Sequence, residues 1–134
     1  MKLLKITTTL FILGLILTMT ACKSIQTKKD SFNPLLLNCW THSYEEDKDG
    51  LKTFRPCEYK KFPPARYRNV FTLEADGKTT YLVLAPTDRH YKEDGKWTYD
   101  AKTSSLIIYN LEGEEKAHSE IIELTKDKLI LKDK

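Results

Sequence analysis

The sequence lacks the short motifs that mark common classes of enzyme. It contains no Gly-x-Ser-x-Gly elbow, no His-Glu-x-x-His pair and no glycine-rich phosphate loop. Its three histidines, His42, His90 and His118, lie in separate segments. The best catalytic candidate is Asp88-Arg89-His90-Tyr91, because a histidine beside an acid can shuttle protons. A solvated loop explains these four residues more simply, and we predict that the protein is not an enzyme.

The chain also lacks a large excess of one charge. It has 22 lysines and arginines against 19 aspartates and glutamates, for a net charge of +3. Lys2 and Lys5 belong to the N-terminal 21 residues, so the remainder has 20 basic against 19 acidic residues. Proteins that bind nucleic acid cluster their lysines and arginines on one surface. Here the two signs interleave, and we expect no nucleic-acid partner.

No charged residue occurs between Ile6 and Met19. This apolar segment follows two lysines and precedes small residues, which is typical of a secretory signal peptide. It is too short to span a membrane comfortably. The end of the segment, Met19-Thr20-Ala21-Cys22, resembles the lipobox of bacterial lipoproteins, with Met19 at a position where leucine is usual. Residues 1–21 are therefore predicted to be a lipoprotein signal peptide.

The resemblance to a lipobox implies that Cys22 carries acyl chains of the palmitate type. Ordinary cleavage without lipid and an uncleaved anchor are the two alternatives. Lys23 stands where aspartate would usually signal retention in the inner membrane. We therefore expect a lipid-anchored protein of the bacterial cell envelope, held in the outer membrane. The membrane, through this lipid, is then its first partner.

Cysteine is otherwise scarce, since only Cys39 and Cys57 remain once Cys22 is lipidated. An even pair in an exported protein predicts a disulfide bond. A metal site built from these two cysteines and His42 is the alternative. No Cys-x-x-Cys or His-x-x-x-His spacing supports that alternative. We expect no metal and no cofactor.

The remaining chain divides into a tether and one small domain. Residues 22–33 are mainly polar and predict a flexible tether. Residues 34–134 are long enough for a single domain. Pro34 favours one helical turn at its start, because proline is well placed in a first helical turn. No convincing long helix follows.

Short segments with β-strand character recur every 8–12 residues, which predicts an all-β antiparallel meander. The predicted strands are residues 39–44, 52–57, 66–75, 79–85, 96–100, 105–111, 117–125 and 129–132. Asp76-Gly77 is a strong hairpin signal. The favoured register across it pairs Phe71 with Tyr81, although a slip of one residue would reverse the faces. Residues 86–95 read as a polar connection, and residues 45–50 as an acidic loop that lacks the closing glutamate of a calcium site.

Four stretches resemble the small lipocalin-like domains of bacterial envelope lipoproteins. They are Asn38-Cys39-Trp40 after a leucine run, the strand that ends in Asp76-Gly77, residues 95–100 (GKWTYD) and residues 121–129 (IIELTKDKL). Asn38 stands where lipocalins usually have glycine, and asparagine tolerates a left-handed backbone better than most residues. The resemblance implies a meander closed into a small barrel. It implies function only weakly, because one fold serves many activities.

The resemblance suggests non-catalytic binding of a small apolar or amphiphilic molecule inside the barrel. Strand alternation places six aromatic side chains on inward faces as candidate ligand contacts: Trp40, Tyr44, Phe71, Tyr81, Trp97 and Tyr99. Since each large aromatic fills much of a small barrel, we expect a packed half beneath Trp40 and at most a shallow cavity towards one mouth. The alternative is a filled barrel that acts as a protein-interaction module, such as an inhibitor or an assembly factor, with a partner that the sequence leaves open.

Residues 55–68 have the least ordinary composition in the chain, with five basic residues, three aromatics and three prolines. One interpretation is a rigid basic and aromatic loop that contacts anionic lipid or an acidic partner. The other is a proline-stiffened crossing between strands, with its lysines in water. We favour the second.

Overall fold

The computed structural model describes residues 32–87 and 89–134. The predicted signal peptide, the lipidation site at Cys22 and the tether up to residue 31 lie outside these residues. In the described part of the chain, eight antiparallel strands close into a barrel, which confirms the predicted fold class. The strands are β1 (Cys39–His42), β2 (Lys52–Pro56), β3 (Val70–Leu73), β4 (Lys78–Leu84), β5 (His90–Asp100), β6 (Ser105–Asn110), β7 (Glu115–Leu124) and β8 (Leu129–Asp133).

The order of strands around the barrel is β1-β2-β8-β7-β6-β5-β4-β3. Strands β3 to β8 follow one another as a meander, whereas β1 lies between β2 and β3. The chain must therefore pass from β2 across β1 to reach β3. Residues 57–69, which we call the crossing segment, make this passage. Pro63 and Pro64 suit it, because proline donates no backbone hydrogen bond and stiffens an irregular segment.

Two short 3-10 helices flank β1, at Pro34–Leu36 and Tyr44–Glu46. The first matches the helical turn predicted at Pro34, where the Asn33 side chain accepts a hydrogen bond from the amide of Leu35. The second corrects the prediction that β1 extends to residue 44. Tyr44 therefore does not share the inward face of Trp40, and it is 37% exposed. Its hydroxyl instead donates to the carbonyl of Tyr67 at 2.6 Å.

The register across the Asp76-Gly77 turn pairs Phe71 with Tyr81, as predicted. The polar connection predicted for residues 86–95 is wrong, because β5 begins at His90 and pairs with β4 along its whole first half. Strand β3 is shorter than predicted. Arg68, within the expected strand, donates instead to the carbonyl of His42 and to Glu45.

The end of the barrel at the first 3-10 helix is closed by large side chains. Leu36 and Trp40 are fully buried there, and the Trp40 indole donates to the carbonyl of Leu36 at 3.0 Å. The ring of Phe32 packs edge-on against Trp97 with centroids 5.2 Å apart. We call this the closed end and the opposite end the mouth. The described chain therefore enters the barrel at the closed end.

Among the described residues, no helix combines the length and the apolar character needed to cross a membrane.

Candidate functional site

A cavity of about 520 Å³ lies at the mouth of the barrel. It is two layers of side chains deep, because each of six chain segments contributes inward residues at positions i and i+2. The floor layer consists of Phe54, Phe71, Tyr81, Leu106, Ser119 and Leu131. The rim layer consists of Lys52, Asn69, Val83, Ile108, Ala117 and Asp133. Since Ala117 and Asp133 are exposed, the cavity reaches solvent.

The floor layer is mostly apolar and well packed. The rings of Phe54 and Phe71 lie 5.2 Å apart at their centroids, which suits a tilted aromatic pair. Tyr81 contributes its ring to the floor while its hydroxyl donates to Glu93 at 2.9 Å. Burial, together with this carboxylate, raises the pKa of Tyr81 to about 12. The phenol therefore stays neutral and serves as a hydrogen-bond donor rather than as a base.

The rim is charged on one side only. On the side formed by β2, β7 and β8, Lys52 forms an ion pair with Asp133, and Lys116, His118 and Lys134 also line the cavity. The opposite side carries no charged residue among those that line the cavity. It is formed by Tyr67, Asn69 and the β4 residues Leu82, Val83 and Leu84.

His42 lies behind the floor layer and organises the turn after β1. Its ring stacks on Phe54 with centroids 4.9 Å apart, and its Nε2 lies 2.9 Å from the carboxylate of Asp47. Asp47 also accepts from the backbone amide of Thr53 at 2.8 Å. Burial lowers the pKa of His42 below its ordinary value, although Asp47 acts in the opposite direction. The imidazole is therefore held neutral within the fold.

The crossing segment is anchored at both of its ends. At its start, Cys57 forms a disulfide with Cys39, which confirms the predicted bridge. The bridge also excludes the alternative metal site, because neither sulfur is a free thiolate. Near its end, Arg68 donates to Glu45 at 2.9 Å and to the carbonyl of Pro63 at 3.0 Å.

Internal ion pairs use several of the basic residues between positions 55 and 68. Arg55 pairs with Glu46, and Lys60 lies 3.6 Å from the same carboxylate. The hydrogen bond from Arg68 lowers the pKa of Glu45 to about 2, and the one from Arg55 lowers the pKa of Glu46 to about 2. These contacts favour the structural interpretation of the stretch over a lipid-binding loop.

Of the six aromatic candidates, the structure places only Phe71 and Tyr81 in the cavity wall. Trp40 and Trp97 are buried and close the other end, so a ligand in the cavity does not contact them. Tyr99 is half-buried against the core, and Tyr44 is exposed on the second 3-10 helix.

The rim residues Lys52 and Asp133 were missed by the sequence reasoning. Lys52 lies two positions before Phe54 on β2, and Asp133 lies two positions after Leu131 on β8. Because side chains alternate along a strand, both residues share the inward face of their apolar neighbour. Their pairing depends on the contact between β2 and β8, which are far apart in sequence.

A metal site and the loop proposed for proton transfer are the remaining chemical candidates. Across residues 32–87 and 89–134, no group of three or more His, Cys, Asp or Glu side chains is arranged to hold a metal ion. Of the loop candidate for proton transfer, Asp88 lies outside the described residues. His90 is exposed, and its ring packs edge-on against the ring of Tyr67, with centroids 5.6 Å apart.

A family model described as a lipocalin-like domain matches residues 39–131, which span the barrel almost entirely. The match confirms the resemblance inferred from the sequence. No curated protein and no solved structure matches the chain significantly.

Proposed function

The chain belongs to the lipocalin-like domain family, and from this premise we propose that the cavity at the mouth binds one small apolar or amphiphilic molecule and releases it unchanged. The observation that carries the proposal is the apolar floor layer beneath a solvent-accessible cavity of about 520 Å³. This volume lies within the range of roughly 300–1,000 Å³ that small-molecule sites occupy. An accessible cavity favours ligand binding over the alternative of a filled barrel that only contacts proteins.

The test fills the cavity with a side chain. Ala117→Trp places an indole in the rim layer, whereas Ala101→Trp makes the same change in the exposed turn between β5 and β6. With the neutral fluorescent probe N-phenyl-1-naphthylamine, we expect saturable binding to the wild type and to Ala101→Trp. Ala117→Trp should bind at least about tenfold more weakly, because the indole occupies the space of the probe. Equal binding by both variants, or no binding by the wild type, contradicts the proposal.

We further propose that acylation of Cys22 anchors this binding domain in the bacterial envelope, at the outer membrane. The proposal is supported by the resemblance of Met19-Thr20-Ala21-Cys22 to a lipobox and by Lys23 after the cysteine. Wild-type protein should fractionate with membranes, and Cys22→Ser should be released or remain unprocessed. Soluble wild-type protein with an intact mass that shows no acyl chain would contradict the anchor and leave the binding proposal standing.

A further inference from the structure

Resting on the proposed function, we infer that the ligand is a compact anionic amphiphile: a short apolar group seated on the floor layer, and an acidic head group held beside Lys52 at the rim. Two features of the cavity carry the inference. They are its limited depth and the uneven distribution of charge around its rim.

The depth follows from the two-layer construction. Adjacent inward residues of one strand, such as Phe54 and Lys52, are two residues apart and therefore about 7 Å apart along the strand. An extended acyl chain with carbon–carbon bonds of about 1.5 Å advances roughly 1.3 Å per carbon. The distance between the two layers thus corresponds to about five carbons of one extended chain. A chain of about six to eight carbons, with its head group above the rim, or a single aromatic ring therefore fills the cavity.

A longer chain has no space to extend towards the closed end. Leu36, Trp40 and Leu73 are almost completely buried there, and the Trp97 indole donates to the carbonyl of Glu74 at 2.9 Å. Protein interiors are packed as densely as organic crystals, so opening a channel would require these side chains to move together. A long-chain lipid would therefore leave much of its tail in water.

The charge of the rim selects the head group. Three lysines, Lys52, Lys116 and Lys134, line the β2, β7 and β8 side of the cavity, against the single carboxylate of Asp133. The ammonium group of Lys134 donates to Ser105 Oγ at 2.7 Å, and Ser105 does not line the cavity, so Lys134 is not counted among the groups that can hold the head group. Glu114 offsets Lys116 from outside the cavity, at 2.9 Å. Lys52 and Asp133 form an ion pair whose side chains are 42% and 59% exposed, so the ammonium group is accessible to a ligand.

The two partners of this ion pair should therefore have opposite effects on the binding of an anion. A bound anion gains the attraction of Lys52, and it also meets the repulsion of Asp133. Removing the lysine charge should therefore weaken binding of an anionic ligand. Removing the aspartate charge should strengthen it, because Lys52 then has no competing partner. A merely structural ion pair predicts no such opposition.

The experiment uses calorimetry to measure the binding of four small amphiphiles to the full protein: octanoate, octanol, octylamine and palmitate. We expect octanoate to bind more tightly than octanol or octylamine, and more tightly than palmitate, whose chain is about twice as long. Lys52→Gln should weaken octanoate binding about fivefold, and Asp133→Asn should strengthen it about threefold, with octanol changed less than about twofold. Lys126→Gln, in the exposed turn between β7 and β8, is the matched control and should change nothing.

The inference is overturned if octanol binds as well as octanoate, if palmitate binds more tightly than octanoate, or if Lys52→Gln and Asp133→Asn shift octanoate affinity in the same direction. Each of these results leaves the proposed function intact as long as N-phenyl-1-naphthylamine still binds. If neither that probe nor any of the four chains binds, the proposed function itself fails.

Discussion

At the scale of single residues, the surroundings of His42 determine how readily its ring is protonated. Its ring faces Asp47 through a hydrogen bond, Phe54 by stacking and Tyr44 at a centroid distance of 4.0 Å. Lys52 and Arg68 also oppose its protonation. Because burial is the largest effect, the pKa of His42 in the fold lies below its ordinary value of 6.5.

This lowered pKa predicts how stability depends on pH. Above about pH 6.5 the imidazole is neutral in both the folded and unfolded chains, and the pH has no effect through this group. As the pH falls below about 6.5, the unfolded chain binds a proton that the fold resists. The free energy of unfolding should then decrease, by at most about 1.4 kcal/mol per pH unit, until the pKa of the folded form is reached.

Urea unfolding at about pH 7.5 and about pH 5.5 measures this slope. His42→Gln should flatten it, whatever its effect on stability at neutral pH, whereas the exposed His90→Gln should retain it. Glu45 and Glu46 do not interfere, because a carboxyl whose pKa is lowered to about 2 acts only below its ordinary value of 4.5. An unchanged slope in His42→Gln would show that burial of this ring does not control the pH response.

Between elements, the disulfide joins the start of β1 to the residue that follows β2. The amide of Cys57 also donates to the carbonyl of Cys39 at 2.9 Å, so the bridge reinforces a junction that is already hydrogen-bonded. Its two cysteines are 18 residues apart. In the chain-entropy description, closing a loop of that length restricts the unfolded chain and contributes about 3 kcal/mol to stability.

We therefore expect the double variant Cys39→Ser with Cys57→Ser to lose about 3 kcal/mol in urea unfolding, with the fold retained. In wild-type protein taken from the envelope, both thiols should resist alkylation until a reductant is added. The single substitution Thr41→Val removes the hydroxyl that donates to Cys57 Sγ but keeps the bridge, so it should cost much less. Two alkylated thiols without reductant would refute the prediction.

The sequence predicted local structure well and long-range placement poorly. Asp76-Gly77 is a strong turn signal, so the register of Phe71 with Tyr81 could be chosen correctly. The first half of β5 was taken for a loop because His90 to Asp94 are polar. These residues form a strand because they pair with β4, a contact that their polar composition does not reveal. At Gly95, an added Cβ would lie 2.1 Å from the carbonyl oxygen of Tyr109, so the backbones of β5 and β6 approach closely there.

The candidate site shows the same limit. Aromatic residues on inward faces were identified from alternation, but alternation does not tell which end of the barrel each residue occupies. Trp97 belongs to the closed end and Tyr81 to the cavity, although both face inward. That distinction depends on the stagger of strands around the closed barrel, which arises from pairings distant in sequence.

At the scale of the whole molecule, the point of attachment determines which way the cavity faces. The described chain enters at the closed end, where Phe32 packs on Trp97. If Cys22 is the lipid anchor, it lies ten positions before Phe32 in the sequence. A flexible tether of this length spans about 17 Å on average. The longest strand, β5, has 11 residues and is about 36 Å long, so a tilted barrel stands roughly 25 Å tall.

If residues 22–31 behave as the flexible tether predicted from the sequence, their average span is shorter than the barrel is tall, and the mouth should point away from the membrane. A ligand would then be taken from the aqueous compartment rather than drawn directly from the bilayer. The orientation of the mouth relative to the membrane can be measured by energy transfer from a donor dye on the protein to acceptor-labelled lipids. The dye is attached at Lys126→Cys, near the closed end, or at Ala117→Cys, at the mouth. The Lys126 position should transfer more strongly in acylated protein, because it lies closer to the bilayer. Release of the domain by Cys22→Ser should abolish both signals, and equal or stronger transfer from the Ala117 position would place the mouth against the membrane.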